Sequence, residues 1–476
     1  MNIDYDVIIL GSGPAGFSCA MQASKFGKRV LVVEQNENFL GGEAINSGTV
    51  PSKILREAAN TIYRYNKHFA QNRKNKSYEH YLMDDLISFK NRVQINENKS
   101  ITRSLQKNHV ETIRGSGHLI DEHTIEVTQA NGEKQSFTSD YILISTGSSS
   151  SDPQKYKIDN SKIFDSRSIV QINHIPRRLV IVGSGIDAIE YATTFGAMGT
   201  NVTLLNEDEH YVMFLDNEIR DELNKVFDQL RIYVHHRVDI QDVHFNPLRN
   251  YTEVRFNKEG SDELRVIETE HVLYLGSRLP NTRDIGAENA HITLDAEGFI
   301  PIDEHYKTEV DSVYAAGDVT GFPALASVSF SQGRLAACHM FNIPVSNSPA
   351  IIPFGIYSIP EISSIGLTEE EAKSEGINYA VGRTYFKNIT RANIDNTELG
   401  LLKIVFNADT LQILGIHILG ENACDLIHLG QIVMDMRLDI NYLINQIFNY
   451  PTYAEAYKIA AFNGINHLKN QADVNS

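Results

Sequence analysis

The sequence predicts an α/β protein with two parallel-sheet units, followed by a C-terminal α+β region. Two observations support the paired units. A short apolar run, a glycine-rich turn, an apolar-periodic helix and a second apolar run follow one another from residue 7, and the same order recurs from residue 179. Runs that are apolar throughout are typical of strands buried on both faces of a parallel sheet. The strand-like runs 401–405 and 413–417 indicate the α+β region.

The composition restricts the class of protein. With 476 residues, of which 42% are hydrophobic and 22% charged, the chain is long enough for several domains and has a globular composition. A formal net charge of −17 argues against a nucleic-acid partner. No apolar run approaches the roughly 20 residues that cross a bilayer, and the first residues lack a signal-peptide pattern. We therefore expect a cytoplasmic protein without membrane association.

Cysteine and histidine spacing indicates neither a disulfide framework nor a metal site. The three cysteines, Cys19, Cys338 and Cys424, form no C-x-x-C pair, which fits a reducing compartment and small buried side chains. The histidines, among them His118 and His417, do not show the spacing of zinc ligands. The sequence therefore predicts that no metal is bound.

The first glycine-rich turn has the features of a dinucleotide-binding Rossmann unit. Gly11 permits a tight turn, Gly13 lets the backbone approach a pyrophosphate, and Gly16 lets the following helix pack closely on the strand. The amino terminus of that helix offers free N–H groups to phosphates. Glu34 follows Gly11 by 23 residues, the distance at which a carboxylate binds the ribose hydroxyls.

The second turn repeats the pattern with one informative difference. Gly183 and Gly185 correspond to the first two glycines, and Ala188 is still small enough for close packing. The position 23 residues after Gly183 is Asn206, an amide in place of a carboxylate. The acidic run 207–209 follows, and the neighbouring sequence contains no arginine. Because acidic groups disfavour a 2′-phosphate, we expect NAD(H) to bind better than NADP(H), without excluding the latter.

Further blocks extend the pattern along essentially the whole chain. Together with the two turns, the chain resembles the two-dinucleotide-fold flavoprotein disulfide reductases, a family that includes lipoamide dehydrogenase and glutathione reductase. The remaining blocks of this resemblance are 41–53, 144–148, 278–281, 313–318, 360–362 and 450–455.

The resemblance implies a domain order and a set of cofactors. It implies an FAD-binding domain formed by residues 1–150 and 278–345, and an NAD(P)-binding domain formed by residues 151–277. Residues 346–476 correspond to the family's dimerisation domain, so we expect a homodimer. The expected ligands are FAD, NAD and NADP.

The same resemblance assigns roles to individual residues. Lys53 is expected beside the flavin ring near N5, with Glu190 as its ion-pair partner, because a buried lysine and a buried glutamate each need such a partner. Asp318 is expected to bind the ribityl chain of FAD, and Gly317 to allow close approach of the backbone. The other implied cofactor-binding residues are Thr146, Gly147 and Arg278.

The family's redox disulfide is absent from this chain. In the block 41–53 the two cysteine positions are Ala44 and Thr49, and the C-terminal histidine of the family's His-Pro pair is Tyr450. Neither Ala44 nor Thr49 can carry electrons. The sequence therefore predicts that the chain does not reduce disulfides, and that Tyr450 packs or forms hydrogen bonds near the partner subunit.

Without a dithiol, electrons on the flavin need another acceptor, and the simplest is a second nicotinamide dinucleotide. We therefore predict ping-pong transhydrogenation between NAD(H) and NADP(H). Blocks 355–364 and 449–452 resemble the family's transhydrogenases, which, however, usually keep one cysteine at the position of Ala44 and have basic residues in place of 207–209. The alternatives are an NADH oxidase or diaphorase that reduces oxygen or a quinone, and a flavin-binding regulatory protein without turnover.

Overall fold

The computed structural model describes residues 3–36, 40–69, 79–345 and 351–475. Its strands are β1 Tyr5–Leu10, β2 Val30–Glu34, β3 Glu111–Arg114, β4 Ser116–Leu119, β5 Thr124–Thr128, β6 Lys134–Ile144, β7 Ser148–Ser150, β8 Ile163–Phe164, β9 Arg178–Val182, β10 Asn201–Leu205, β11 Ile232–His235, β12 Val238–Asn246, β13 Tyr251–Lys258, β14 Arg265–Thr269, β15 His271–Tyr274, β16 Arg278–Pro280, β17 Val313–Ala315, β18 Phe354–Ile356, β19 Glu361–Gly366, β20 Tyr379–Tyr385, β21 Leu401–Asn407 and β22 Ile413–Gly420. Its α-helices are α1 Pro14–Lys25, α2 Gly42–Asn46, α3 Thr49–Phe69, α4 Glu79–Lys107, α5 Ile186–Ala197, α6 Asn217–Leu230, α7 Ala326–Met340, α8 Glu369–Ser374, α9 Thr390–Ile394, α10 Ala423–Asp435, α11 Ile440–Asn445 and α12 Glu455–Asn475.

The first sheet is built around β1. Its strand order is β3-β2-β1-β6-β5-β4, and β17 returns late in the chain to pair with β6. Strands β1, β2, β6 and β17 run parallel. Val7 and Ile9 face one hydrophobic core with α1 and α7, whereas Ile8 and Leu10 face another with β4 and β5. This burial on both faces explains why β1 is apolar throughout.

The second sheet repeats the arrangement around β9. Its order is β11-β10-β9-β15-β8, and all of these pairs are parallel. Helix α5 follows the second glycine-rich turn, and all of its residues from Ala188 to Ala197 are buried. A separate antiparallel sheet, β12-β13-β14, follows β11 and covers one side of this unit.

The third main sheet is antiparallel, with the order β18-β19-β22-β21-β20. Helices α10 and α12 pack against it and form one core with it. The Lys403 side chain of β21 is fully buried, and its Nζ lies 2.8 Å from Asp216 Oδ2 at the amino terminus of α6. This ion pair joins the third sheet to the second unit.

The expected fold class is confirmed by these three sheets. The apolar runs at 7–10, 30–33, 179–182 and 202–205 lie in β1, β2, β9 and β10. The domain boundaries stay a prediction, and the one at 345–346 borders residues 346–350, which lie outside the described part. Of the helices that the structure describes, not one combines the length and the apolar character that a membrane crossing requires.

Candidate functional site

The first glycine-rich turn is packed too tightly for side chains at its outer glycines. Gly11 has φ +95°, and a Cβ there would lie 2.5 Å from the carbonyl oxygen of Ser145, which directly follows β6. A Cβ on Gly16 would lie 1.9 Å from the carbonyl oxygen of Gly11. Protein packing alone therefore requires both glycines, and it fixes α1 close behind β1.

The middle glycine of each turn has a different explanation. A Cβ on Gly13 would meet no protein atom closer than the 4.0 Å to Gly42 Cα, and a Cβ on Gly185 would meet none within 4 Å. Both residues have negative φ, at −62° and −80°. Since the fold does not demand glycine there, the space in front of each residue fits the close approach of a ligand to the backbone.

The helices that follow the turns begin with free N–H groups. Gly13 and Gly185 are the N-caps of α1 and α5, and neither helix start has a side-chain cap. An uncapped amino terminus carries unsatisfied donors and the positive end of the helix dipole. Two such sites, each beside a glycine without a packing role, fit the pyrophosphates of two dinucleotides.

Glu34 ends β2 beside the first turn. Its Oε2 accepts hydrogen bonds from the backbone N–H of Ser12 at 3.0 Å and from Ser12 Oγ at 2.5 Å, and its Oε1 accepts one from Asn36 N. A carboxylate can accept about four hydrogen bonds, so Glu34 keeps capacity for a ligand hydroxyl while its orientation is fixed. This fits the ribose role predicted for it.

Asn206 directly follows β10, at the place that corresponds to Glu34, and is fully buried. Its Oδ1 accepts a hydrogen bond from Asp208 N, and its Nδ2 lies 2.9 Å from Nδ1 of His236. The side-chain amide is therefore engaged within the protein, where it holds the start of the acidic run.

The expectation that no arginine lies near the acidic run is wrong. Arg237 forms an ion pair with Glu209, and its backbone N–H donates to Asp208 O. Arg237 is distant from the acidic run along the chain. In the sheet, however, β11 pairs with β10 and brings residues 236–237 beside the end of β10. A 2′-phosphate bound here would therefore meet Arg237 as well as the acidic run, and the preference for NAD(H) stays a prediction.

Lys53 and Glu190 come together between the two units. Lys53 Nζ on α3 lies 2.6 Å from Glu190 Oε2 on α5. Glu190 is buried, and its Oε1 accepts a hydrogen bond of 2.8 Å from the backbone N–H of Tyr357. Burial raises the pKa of Glu190, and the charge of Lys53 opposes that rise. The expected ion pair is present, while the catalytic roles of its members stay predictions.

Tyr357 completes this group and was not among the predicted site residues. Its ring centroid lies 5.0 Å from Lys53 Nζ, within cation–π distance. Burial raises the pKa of Tyr357 to about 12, so the phenol stays protonated near neutral pH. The sequence showed it only as a member of a family-like block, because its contact with Lys53 depends on where β18 lies relative to α3.

Arg278 and Asp318 meet through Ser148. Arg278 Nε donates to Ser148 Oγ at 2.7 Å, and that hydroxyl donates to Asp318 Oδ2 at 2.9 Å. Arg278 Nη2 also donates to Glu43 Oε2 at 2.7 Å. Glu43 precedes Ala44, so this arginine fixes the segment that holds the two cysteines in the family. Neither Ser148 nor Glu43 was predicted.

Thr146, Gly147 and Gly317 border the first turn. Thr146 Oγ1 donates to the carbonyl of Asn281, whose side chain donates back to Thr146 O, and Asn281 N donates to Gly147 O. A Cβ on Gly317 would lie 3.3 Å from Ala15 Cβ on α1. The structure thus brings these predicted residues to the edge of the sheet where the first turn lies.

The positions of the family's cysteines hold no redox group. Ala44 lies in α2 and Thr49 is the first residue of α3. The three cysteines of this chain are free and buried elsewhere, as expected, and burial raises the pKa of Cys19, Cys338 and Cys424. A thiol with a raised pKa is a poor nucleophile.

Tyr450 is exposed, and its hydroxyl donates to Thr390 Oγ1 at 3.0 Å.

Comparison with known proteins agrees with this geometry. The model of the pyridine nucleotide-disulphide oxidoreductases matches residues 5–333, and the model of their dimerisation domain matches residues 352–461. The soluble pyridine nucleotide transhydrogenase of Pseudomonas aeruginosa (strain LESB58) is 36% identical over 470 residues, which is 98% of this chain and 99% of that protein. The protein of the same name from Azotobacter vinelandii is 37% identical over the same coverage.

Solved structures show the same fold. LpdA from Mycobacterium tuberculosis superimposes with a TM-score of 0.87 at 23% identity, over 96% of this chain and 98% of that one. The flavoprotein disulfide reductase RclA from Escherichia coli, induced by HOCl, gives a TM-score of 0.84 at 24% identity, over 96% of this chain and 99% of that one.

Proposed function

The chain belongs to the pyridine nucleotide-disulphide oxidoreductase family, and we propose that it is an FAD-dependent transhydrogenase that moves hydride between NAD(H) and NADP(H). The observation that supports this most is the Lys53–Glu190 ion pair, retained in a chain that has no cysteine at either position of the family's dithiol. Bound FAD would supply the hydride-carrying chemistry between the two nicotinamide rings.

In this proposal Lys53 supplies a fixed positive charge between the two units. Glu190 holds the ammonium group from one side, and the Tyr357 ring limits its movement on another. Glu190 also binds the backbone of Tyr357, so one carboxylate orients the lysine and the segment before β19 together. A preorganised charge of this kind stabilises developing negative charge without the reorganisation that water would require.

The Arg237–Glu209 pair beside the end of β10 is compatible with the plain ribose of NAD(H) and with the 2′-phosphate of NADP(H). With the ion pair intact, the charge of Arg237 is compensated and a plain ribose meets no unpaired cation. A 2′-phosphate offers Arg237 a second anionic partner, with His236 beside it on the same strand connection. Both arginine and glutamate are about half exposed, so the exchange of partners is sterically open.

We also propose a cytoplasmic homodimer that forms through the C-terminal region, with FAD in residues 1–150 and 278–345 and NAD(P) in residues 151–277. Helix α10 and the turn after it expose a stripe of large apolar side chains, Leu429, Ile432 and Met436. Apolar residues at this helical spacing favour burial against another surface. In the dimer Tyr450 would approach the partner subunit, where its exposed ring can pack.

The test follows reduction of thionicotinamide-NADP⁺ by NADH under anaerobic conditions, with oxygen consumption measured separately in air. Transhydrogenation predicts thionicotinamide reduction at a rate that does not depend on oxygen. Loss of NADH only in the presence of oxygen would identify an oxidase instead. Failure of NADH to change the flavin spectrum would identify a protein without turnover.

A further inference from the structure

A second cluster of chemically active side chains lies in the second unit, away from its glycine-rich turn. It consists of His174, Glu270 and His271, each of which offers one ligand atom within 4.8 Å of the other two. His271 pairs with Leu179 at the start of β9, whereas the turn follows Val182 at the end of that strand. The cluster therefore occupies the opposite edge of the sheet from the candidate dinucleotide site.

Two imidazole nitrogens and one carboxylate oxygen converge at this cluster. His174 Nε2 lies 3.0 Å from Glu270 Oε1 and 3.3 Å from His271 Nε2. Asn173 Oδ1 lies 2.9 Å from His174 Nδ1, and an amide oxygen can only accept, so Nδ1 carries the proton. With the proton on Nδ1, Nε2 faces Glu270 Oε1 either as a donor in a charged ring or with a lone pair in a neutral one. In the neutral ring, a cation between the converging atoms satisfies both lone pairs.

The surroundings fix each side chain for that purpose. Glu270 Oε2 accepts a hydrogen bond of 2.8 Å from Arg177 N, which leaves Oε1 to face the histidines. The Asn173 contact orients His174 in the way that outer hydrogen bonds orient metal-binding histidines.

His271 is buried and its ring packs edge-on against Phe164 at a centroid distance of 5.3 Å, so its position is preset. Its Nδ1 is buried and, within the described part of the chain, has no hydrogen-bond partner. Lys162 opposes a cation at this point, and Asp159 offsets it.

We propose that His174, Glu270 and His271 form a binding site for a divalent transition metal ion, with zinc as the best fit. Tetrahedral zinc with nitrogen and oxygen ligands places neighbouring ligand atoms about 3.3 Å apart, close to the observed 3.0 and 3.3 Å. The side chains of His174 and Glu270 are 39% and 32% exposed, which leaves a path for the ion and a fourth position for water. Sequence spacing gave no sign of the site because almost one hundred residues separate His174 from the other two.

Such an ion would join the segment before β9 to the start of the adjacent strand β15. Because metal that binds only the folded state stabilises it, zinc should raise the melting temperature of the protein. The distance of the cluster from the glycine-rich turns predicts that zinc leaves transhydrogenation at its basal rate.

The test is titration of the tag-free holoenzyme with zinc sulfate, followed by calorimetry and by thermal melting. The wild type should bind one zinc ion per chain with a rise in melting temperature. We expect N173A, which keeps all three ligands, to weaken binding by about 10- to 100-fold, and H174A, which removes a ligand, to weaken it more.

H244A is the matched control, because the His244 side chain is also 39% exposed and also faces carboxylates, Asp242 and Glu253, but no second histidine. It should bind zinc as the wild type does. The proposal is overturned by a wild type that does not bind zinc, by binding that H174A leaves unchanged, or by an equal loss in H174A and H244A.

Discussion

Lys53 Nζ lies 2.6 Å from Glu190 Oε2, although the two residues are 137 positions apart and lie on helices of different units, α3 and α5. The pair therefore joins the first unit to the second. Glu190 is the more buried partner, with 8% of its side chain exposed against 27% for Lys53. A buried carboxylate of this kind needs its cation to stay charged, so the two residues act together.

Replacing Glu190 by glutamine should lower kcat by about 10- to 100-fold, which is the effect of losing one charge-assisted hydrogen bond. The amide keeps the acceptor for Tyr357 N, so the fold is retained while the orientation of Lys53 is lost. Steady-state transhydrogenation gives kcat and KM, and the reduction potential of the bound flavin should shift as well. Glu57→Gln on the same helix as Lys53, with its side chain 69% exposed, serves as the control. Wild-type kcat and potential in E190Q would contradict the proposed role.

Arg237 is expected to decide how well NADP(H) binds. Arg237→Ala should lower kcat/KM for NADP(H) about tenfold or more and leave the value for NAD(H) nearly unchanged, because only the former loses a charge-assisted contact. Glu209→Gln should have the opposite effect, since it frees the arginine from its present partner. The exposed Arg249→Ala on the neighbouring antiparallel sheet is the control. Equal losses with both cofactors in R237A would exclude recognition of the 2′-phosphate by this residue.

The middle glycines should separate ligand binding from folding. Gly185→Ala adds a methyl group that meets no protein atom within 4 Å at a φ of −80°, so the melting temperature should not change. The methyl group would occupy space in front of the free N–H groups of α5 and should raise KM for the nicotinamide nucleotides by about 10- to 100-fold. Gly13→Ala should instead reduce the FAD content of the purified protein. A G185A variant that loses FAD but keeps its KM values would reverse the assignment of the two turns.

Glu218 forms ion pairs with Lys403 and Arg383, and these should make the stability of the folded protein depend on pH in the acid range. Burial would raise the pKa of Glu218, but the hydrogen bond from Arg383 and the charge of Lys403 prevail and lower it to about 2. A lowered carboxyl pKa stabilises the folded state above the unfolded value near 4.3, and this contribution disappears as the pH falls from there towards about 2.

Glu218→Gln should therefore melt below the wild type at pH 7, and the difference should shrink as the pH falls below about 4. Thermal melting across this range measures both effects. Asp311→Asn is the control, because its side chain is 96% exposed and its ion pair with Lys307 is worth little. A difference between E218Q and wild type that is independent of pH would show that the carboxylate charge does not contribute.

Local patterns in the sequence predicted the fold well. The apolar runs of β1 and β9 are buried on both faces, and the first glycine of each turn directly follows its strand. Residues close together in the sequence were therefore enough to identify both units. Contacts between distant segments could not be predicted in this way. Arg237 reaches Glu209 only because β11 lies beside β10, and Arg278 reaches Ser148 only because β16 pairs with β7. Tyr357 likewise joins Lys53 through the packing of a third sheet.

The central claim is that hydride leaves the protein on a second pyridine nucleotide. The most direct test mixes the anaerobic holoenzyme with one equivalent of NADH in a stopped-flow instrument, and then adds NADP⁺ while the visible absorbance of the bound flavin is followed. We expect NADH to bleach the flavin and NADP⁺ to restore the absorbance, with formation of NADPH at a rate sufficient for steady-state turnover. A bleached flavin that recovers its absorbance only when oxygen or a quinone is admitted would contradict the account.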